Sequence, residues 1–220
     1  KLGSLPIEEI LKPVIALAER GVIVTQKQEA RLQNYHEAIV KINGTTSLFS
    51  KTFKENDTIK YPALAATLKR ISKNGRDEFY KGETAKTLVH YLQQKGAIIT
   101  LEDLAKYEAK WRKPITFKYK NLKIISMPPP SSGGICLAEI LKMIEPYDLA
   151  KMSHNSTEAI QVIVEAERRA YADRSVYLGD PDFVTIPEKE LLDENYLKKR
   201  MANFSFEKAT SSKEVSHGDI

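Results

Sequence analysis

The chain has 220 residues, of which 42% are hydrophobic and 29% are charged, and its formal net charge is +5. This composition is typical of an ordinary globular protein with enough apolar material for a core. It excludes a membrane span in this sequence, because no apolar run approaches the ~20 residues that cross a bilayer. It also argues against a nucleic-acid footprint, because Lys and Arg are scattered among Asp and Glu.

The two ends of the sequence suggest a piece of a longer protein. It starts at Lys1 without a methionine and stops at Ile220 in mid-flow. We therefore expect a processed chain or an excised fragment. The first residues lack the basic, apolar and small-residue pattern of a signal peptide, but for a fragment this gives no information about where the parent protein is located.

Apolar residues at helical spacing predict helices in the first half of the chain. The stretches are LPIEEILKPVIALAERG, TQKQEARLQNYHEAIVKING, PALAATLKRISKNG and GETAKTLVHYLQQKG. Each ends at a glycine, namely Gly21, Gly44, Gly75 or Gly96. Pro13 is expected to kink or divide the first helix. A shorter helix follows in TLEDLAKYE, with Thr100 as N-cap and Asp103 in the place of the Glu or Gln of a capping box.

After Trp111 the spacing of the apolar residues changes from a helical period to alternation. In KPITFKYKNLKIISM, apolar and polar residues alternate on either side of Lys120-Asn121, which predicts a hairpin over about residues 111–127. It is the only convincing strand pair in the sequence. Because an isolated hairpin is marginally stable, we expect an α+β fold, a mostly helical segment whose sheet is incomplete in this chain.

The remainder predicts three more helices and a tail. The helices are ICLAEILKMIEPYDL, NSTEAIQVIVEAERRAYADRSVYLGDP, with Asn155 or Ser156 as cap, and PEKELLDENYLKKRMANF. Residues 205–220 are polar and aperiodic, so a flexible tail is expected there. The predicted organisation is therefore a helical segment over residues 1–204 followed by that tail.

The stretch SMPPPSSGGI is the most unusual loop in the chain. Pro128–Pro130 stiffen the backbone, Ser131 and Ser132 can cap a helix beginning near Ile135, and Gly133-Gly134 permit close backbone approach. A structural corner is the favoured interpretation. Contact with an anion or substrate, and a serine nucleophile, are the alternatives. A nucleophile would need a histidine base nearby and would usually lie in a G-x-S-x-G elbow, which is absent.

The other reactive side chains predict no metal or catalytic centre. Cys136 is the single cysteine and lies on an apolar helix face, so packing is favoured over nucleophilic chemistry. The histidines have no metal-ligand spacing, and none is expected to be a catalytic base. They are His36, His90, His154 and His217.

Charged residues are dense in AERRAYADRSVYLGDPDF. Glu165 and Arg169 are four residues apart and can pair along one face of a helix, as can Asp173 and Tyr177. Arg174 and Asp180 could tie the end of this helix to a neighbouring element. A structural network is favoured and a direct substrate role is the alternative, so the residues alone predict no self-sufficient active site.

Taken together, three segments resemble the large subunit of the gamma-glutamyltranspeptidase (glutathione hydrolase) family. They are YKGETAKTLVHYLQQKGAIITLEDLAKYEAKWRKPI, SMPPPSSGGI and AERRAYADRSVYLGDPDF, and LPIEEILKPVIALAERG resembles an earlier family segment. The resemblance extends from about Leu5 to Pro187. It implies an N-terminal nucleophile hydrolase with an αββα sandwich, formed from a precursor that cleaves itself before a threonine. That threonine would attack gamma-glutamyl carbonyl groups, with its α-amine or a water as base.

The same resemblance implies that no catalytic or substrate-binding residue lies in this chain. Thr45-Thr46 are followed by Ser47 and lie in the wrong region to be the family's Thr-Thr-His nucleophile motif. The carboxylate-binding arginine would lie upstream of Lys1, and the pocket serines would lie in the small subunit, so they are not Ser131-Ser132. The processing junction would follow Ile220. No metal or cofactor is expected.

The resemblance also implies partners and a location. The partners are the small subunit of the same precursor, glutathione or other gamma-glutamyl compounds, and acceptor amino acids. We expect the isolated chain to be inactive and to expose an apolar patch, through which it self-associates unless it behaves instead as a loosely packed domain. The composition, with many Lys, Ile and Asn, favours a bacterial source, and the resemblance implies a periplasmic, secreted or surface-bound location. The rival interpretations are a non-catalytic scaffold, a related acylase, and a serine hydrolase using Ser131 or Ser132.

Overall fold

The computed structural model describes residues 3–220, which divide into two compact units with the boundary between Ala109 and Lys110. This differs from the expected division into a segment over 1–204 and a tail over 205–220. Residues 107–114 form neither helix nor strand and link the two units. Helical periodicity identifies the helices, but it does not indicate which of them share a core.

The first unit is mostly helical. Its helices are α1 (Ile7–Arg20), α2 (Gln26–Asn43), α3 (Pro62–Asn74), α4 (Arg76–Tyr80), α5 (Glu83–Gln94) and α6 (Leu101–Lys106). The predicted helices are confirmed, but Pro13 does not divide α1. Pro13 and Glu9, whose carbonyl loses its helix partner, are both exposed, so water can bind the freed oxygen.

A strand pair that the sequence analysis missed joins two parts of the first unit. The strands β1 (Val22–Ile23) and β2 (Thr58–Ile59) are antiparallel. Two residues are too short for a visible alternation of apolar and polar side chains. Gly21 adopts φ +91° beside this pair, and a Cβ atom there would lie 2.6 Å from Cγ2 of Thr58.

Capping boxes fix the start of two helices in the first unit. The predicted box at α6 is confirmed: the Thr100 amide donates to Asp103 Oδ2 over 2.8 Å, and the Asp103 amide donates to Thr100 Oγ1 over 3.1 Å. The second box, formed by Thr25 and Gln28 at α2, was not predicted. Each box satisfies amide groups that a helix start leaves without a partner.

Glu78 is a buried carboxylate where α3, α4 and α5 meet. It accepts hydrogen bonds from Thr84 Oγ1 over 2.8 Å, from the Thr84 amide over 3.1 Å and from Arg70 Nε over 2.9 Å. These bonds, with the one from the Thr84 hydroxyl foremost, lower the pKa of Glu78 to about 2. The ionised form is therefore part of the folded structure.

We predict that Glu78→Gln lowers the free energy of unfolding at pH 7. Because the folded pKa lies below the unfolded value, the contribution of Glu78 is complete above pH 4.5 and is lost as the pH falls through about 2. The difference between the variant and the parent should shrink over that range in denaturant titrations. Glu37→Gln, at an exposed position on α2, is the matched control and should change little. Equal effects of the two variants would contradict the role of Glu78.

The second unit combines a hairpin with helices. Its elements are β3 (Ile115–Tyr119), β4 (Leu122–Ser126), α7 (Gly133–Ile144), α8 (Thr157–Tyr177), α9 (Glu188–Leu191) and α10 (Glu194–Arg200). The hairpin is confirmed with a two-residue turn at Lys120-Asn121, and Lys120 has φ +51°. The last predicted helix is instead two helices, because Asp193 caps α10 by accepting from the amides of Asn195 and Tyr196.

The core of the second unit lies where α7, α8 and α10 pack together. Small residues of α8, Ala166 and Ala170, are fully buried and allow the helices to approach closely. A second cluster joins the hairpin to α7 and α9 through Ile115, Ile135 and Leu191. The long helix α8 is therefore the central element of this unit.

Residues 205–220 contain no helix or strand, as the aperiodic sequence predicts. The segment is not detached, however. The Thr210 amide donates to Glu165 Oε1, and the Gly218 amide donates to Asp173 Oδ1, each over 2.8 Å. Both acceptors belong to α8, more than 40 residues earlier in the sequence. The predicted mobility of the segment stays a prediction, but these contacts oppose it.

Apolar side chains remain exposed on one side of α1. They recur at helical spacing and are Ile7, Ile10, Val14 and Leu17. An exposed apolar patch of this kind was expected, whereas self-association through it stays a prediction. Among the described helices, none combines the length and apolar character needed to cross a membrane.

Candidate functional site

The loop containing SMPPPSSGGI joins the hairpin to α7 as a tight corner. A Cβ atom at Gly134 would overlap the carbonyl oxygen of Met127 and lie 3.0 Å from Cγ1 of Ile115. Gly133 has room, since a Cβ atom there would lie 3.6 Å from Ser131 Oγ. Of the two glycines, Gly134 is therefore the one that allows α7 to start against the end of the hairpin.

We predict that Gly134→Ala lowers the free energy of unfolding by about 1–3 kcal/mol, since the added methyl group overpacks the corner. Gly133→Ala is the matched control and should change the stability little, because its methyl group meets an ordinary contact distance. Denaturant titration of both variants checks this. Equal stabilities would show that the corner can relax at no cost.

The two serines of this loop are not arranged for nucleophilic catalysis. Ser131 Oγ accepts from the Gly133 amide over 3.4 Å, and Ser132 Oγ accepts from Arg174 Nε over 2.9 Å. The helix begins at Gly133, two residues before the expected start, and the Ser132 side chain makes no capping bond. The predicted tie between Arg174 and a neighbouring element is thus a bond to this loop.

The histidines lie away from these serines. His36 contacts the Ser50 carbonyl over 3.1 Å, His90 contacts Gln94, and the ring of His217 packs edge-on against Tyr177. His154 is exposed. Within residues 3–220, no histidine hydrogen-bonds to Ser131 or Ser132, and no cluster of three potential metal ligands occurs. The described chain therefore holds no serine with a histidine base.

Cys136 is buried on α7. Burial, and then the charge of the neighbouring Glu139, raise the pKa of its thiol to about 11. The thiol is therefore protonated at neutral pH, which disfavours nucleophilic attack. This agrees with the expected packing role.

The predicted Glu165–Arg169 pair forms on α8, with both side chains buried. Glu165 also accepts from Arg168 Nη1 over 3.1 Å and from the Thr210 amide over 2.8 Å. Burial works to raise the pKa of Glu165, but the hydrogen bonds from Arg169 and Thr210 outweigh it and lower the pKa. Glu165 is thus an ionised carboxylate inside the second unit.

The predicted Asp173–Tyr177 pair does not form. Asp173 is fully buried and accepts from Arg200 Nε over 3.0 Å and from the Gly218 amide over 2.8 Å. Tyr177 donates its hydroxyl to the Gly218 carbonyl over 2.6 Å. The two side chains therefore bind the same backbone segment instead of each other. Spacing along one helix cannot reveal partners 41 and 45 residues away.

Glu139 on α7 lies beside Asp173 and has no exposed surface. Neither of its carboxylate oxygens, nor the buried hydroxyl of Tyr196, makes a hydrogen bond of good geometry, but Asp173 is close enough to accept from either group when that group is protonated. Burial, and then the Asp173 charge, raise the pKa of Glu139 to about 9. Glu139 is therefore a neutral acid at pH 7. The sequence did not predict this state, because nothing in the apolar helix ICLAEILKMI indicates that its one glutamate is buried.

We predict that Glu139→Gln stabilises the protein at pH 7. Because the folded pKa is raised, the free energy of unfolding falls as the pH rises from 4.5 towards 9, with a loss of about 3 kcal/mol by pH 7. A neutral amide avoids this loss, so the gain should vanish near pH 4. Thermal unfolding across this pH range checks it, with the exposed Glu167→Gln as control. A destabilised variant at pH 7 would contradict the neutral state of Glu139.

An open cleft of about 730 Å³ lies in the second unit, lined by residues 111–113, by residues 181–186 with Glu188, and by two loop prolines. Arg112, one of its basic side chains, pairs with Asp182 over 2.9 Å, and Asp182 also pairs with Lys110 over 2.8 Å. These two partners lower the pKa of Asp182. Asp180 lies 3.7 Å from Arg112. The cleft presents the exposed aromatic rings of Trp111 and Phe183.

Comparisons with known proteins show what this chain is similar to. The family profile of gamma-glutamyltranspeptidase matches residues 1–219. The glutathione hydrolase proenzyme of Escherichia coli is 39% identical over 224 residues, which cover 100% of this chain and 39% of that protein. The acylase ACY 1 proenzyme of Pseudomonas sp. strain SE83 is 34% identical over 214 residues, covering 96% of this chain and 38% of that protein.

A solved structure is similar to this chain over nearly its whole length. The gamma-glutamyltranspeptidase of Helicobacter pylori has a TM-score of 0.90 and 37% identity to this chain, covering 98% of this chain and 63% of that one. The chain thus spans less than half the length of the two curated relatives named above.

Proposed function

The chain belongs to the gamma-glutamyltranspeptidase family, and on this premise we propose that it is the large-subunit portion of an enzyme that hydrolyses or transfers gamma-glutamyl groups. The observation that carries the proposal is the family match over residues 1–219. The expected fold, a partial α+β segment of an N-terminal nucleophile hydrolase, is confirmed by the structural likeness.

The proposed chemistry takes place on residues outside this chain. A threonine hydroxyl freed by self-cleavage attacks the gamma-glutamyl carbonyl carbon, and its proton passes to the threonine α-amine or a water. The amide bond breaks, the amine leaves with a proton, and water or an amino acid then takes the glutamyl group from the ester. In this proposal the chain is a supporting part of the enzyme.

Glutathione is the proposed substrate, because relatives at 39% and 40% identity are named glutathione hydrolase proenzymes. A related acylase is the second candidate, since the ACY 1 proenzyme is 34% identical over 96% of this chain. The small subunit of the same precursor is the proposed partner. A periplasmic, secreted or surface location is proposed from family membership alone.

We predict that the full-length protein releases chromophore from a gamma-glutamyl anilide and that this chain alone does not. The reason is that the nucleophile lies outside it. Ser131→Ala in the full-length protein is the control and should leave the rate within about two-fold of the parent, because Ser131 only contacts its own loop.

Three results would contradict the proposal. Activity in the chain alone would return Ser131, Ser132 or Cys136 to consideration as nucleophiles. If neither protein cleaves the gamma-glutamyl anilide but the full-length protein hydrolyses another acyl amide, the acylase is favoured. If neither protein acts on any substrate, a non-catalytic scaffold is favoured.

A further inference from the structure

The segment Thr210–Gly218, called the strap below, is bound near both of its ends to helices of the second unit, to which it also belongs. At its first end, the Thr210 amide donates to Glu165 Oε1 over 2.8 Å. The Thr210 carbonyl accepts from Arg168 Nη1 over 2.7 Å, and the Thr210 hydroxyl accepts from Arg169 Nη2 over 3.3 Å. A single strap residue is therefore held through its amide, its carbonyl and its side chain.

At its second end, the strap is held by α8 and α10 together. The Gly218 amide donates to Asp173 Oδ1 over 2.8 Å, and the Gly218 carbonyl accepts from the Tyr177 hydroxyl over 2.6 Å. Arg200 Nη2 donates to the Ser216 carbonyl over 2.8 Å while its Nε binds Asp173. Both polar backbone groups of Gly218 thus have side-chain partners.

The slot that receives Gly218 excludes any side chain. A Cβ atom at this position would lie 2.6 Å from the Tyr196 hydroxyl oxygen and 2.7 Å from Cδ of Arg200. Those distances are shorter than ordinary contacts, so only glycine fits without movement of its neighbours. The fit indicates a specific docking position for this part of the chain.

The docking also satisfies carboxylates that are costly to bury. Glu165 and Asp173 have 2% and 0% of their surface exposed. A buried ionised carboxylate is tolerated only when its oxygens find donors. Arginines supply some of these donors, and the Thr210 and Gly218 amides supply the others. Loss of the strap would remove the Gly218 donor from Asp173 Oδ1 and would leave Glu165 Oε1 with Arg168 as its remaining donor, which opposes release of the strap.

We propose that the strap is a positioning device for self-cleavage, with Asp173, Tyr177 and Arg200 as positioning residues. They fix the chain at Gly218 and so set the path by which it approaches the cleavage junction. The inference rests on the proposed function, in which a precursor cleaves itself at a threonine beyond this chain. Self-cleavage needs the reacting groups at close and defined distances, so a fixed approach favours it.

The size of the effect follows from the length of chain that is set free. Releasing Gly218 lengthens the mobile connection to the junction, and each doubling of a flexible loop lowers the closure probability about three-fold. A loosened strap should therefore slow self-cleavage by about 3–10-fold without abolishing it.

The test uses the full-length precursor with two strap variants and two matched controls. Tyr177→Phe removes one hydrogen bond at constant shape, and Gly218→Ala inserts a methyl group into the slot. Tyr171→Phe removes the hydroxyl of an exposed tyrosine on the same helix, and Gly133→Ala adds a methyl group where there is room. Trypsin cleavage at the exposed Lys213 reports whether the strap is docked.

We expect trypsin to cleave at Lys213 several-fold faster in both strap variants, and self-cleavage to slow by about 3–10-fold. The controls should match the parent in both measurements. The molecules that complete cleavage should have the parent kcat and KM toward the gamma-glutamyl anilide, because the proposed role is in positioning the precursor. A general structural defect would instead lower both the cleavage rate and the kcat of the cleaved form.

Each remaining outcome overturns a defined part of the proposal. Unchanged trypsin rates in both strap variants would overturn the docking itself. Faster trypsin cleavage with unchanged self-cleavage would overturn the positioning role. A parent protein that never cleaves itself would overturn the proposed function and, with it, the positioning role, while the trypsin rates would still report on docking.

Discussion

Burial of two carboxylates, Glu165 and Asp173, on the central helix of the second unit determines much of what surrounds that helix. Each must be given donors, because an unpaired ionised carboxylate in a core costs several kcal/mol. Arg169 and Arg200 supply charged donors from α8 itself and from α10. Arg168 is a further donor to Glu165, and backbone amides of the C-terminal segment donate to both carboxylates, so this segment is bound along α8.

The same helix, α8, connects the buried carboxylates and their donors to the loop containing SMPPPSSGGI. Arg174 lies one residue after Asp173 and donates to Ser132, so one end of α8 holds the corner between the hairpin and α7. The residues that looked most like an active site in sequence, the serine pair and the dense charges, are thus partners in a framework. This agrees with the proposed function, in which the chain supports a nucleophile located outside it, and with a role of its buried contacts in positioning the C-terminal segment.

The sequence predicted the long elements well because their signals are local. Amphipathic period, glycine stops and the Lys120-Asn121 turn are all read within about 20 residues, and the helices and hairpin are confirmed. The strap and its partners could not be predicted, since the bond from Gly218 to Asp173 spans 45 residues. Glu139 was missed for a related reason: its neutral state depends on burial and on Asp173, which belongs to another helix. The family resemblance correctly placed the chain, but it gave no information on these contacts.

Amide hydrogen exchange of the full-length protein, resolved at single residues across 205–220, tests the central claim most directly. A strap docked on buried carboxylates predicts slow exchange at Thr210 and Gly218, whose amides donate to Glu165 and Asp173. Exposed amides between them, such as that of Ser212, should exchange fast. Uniformly fast exchange across the whole segment would show a mobile tail, and the carboxylates of α8 would then need other donors.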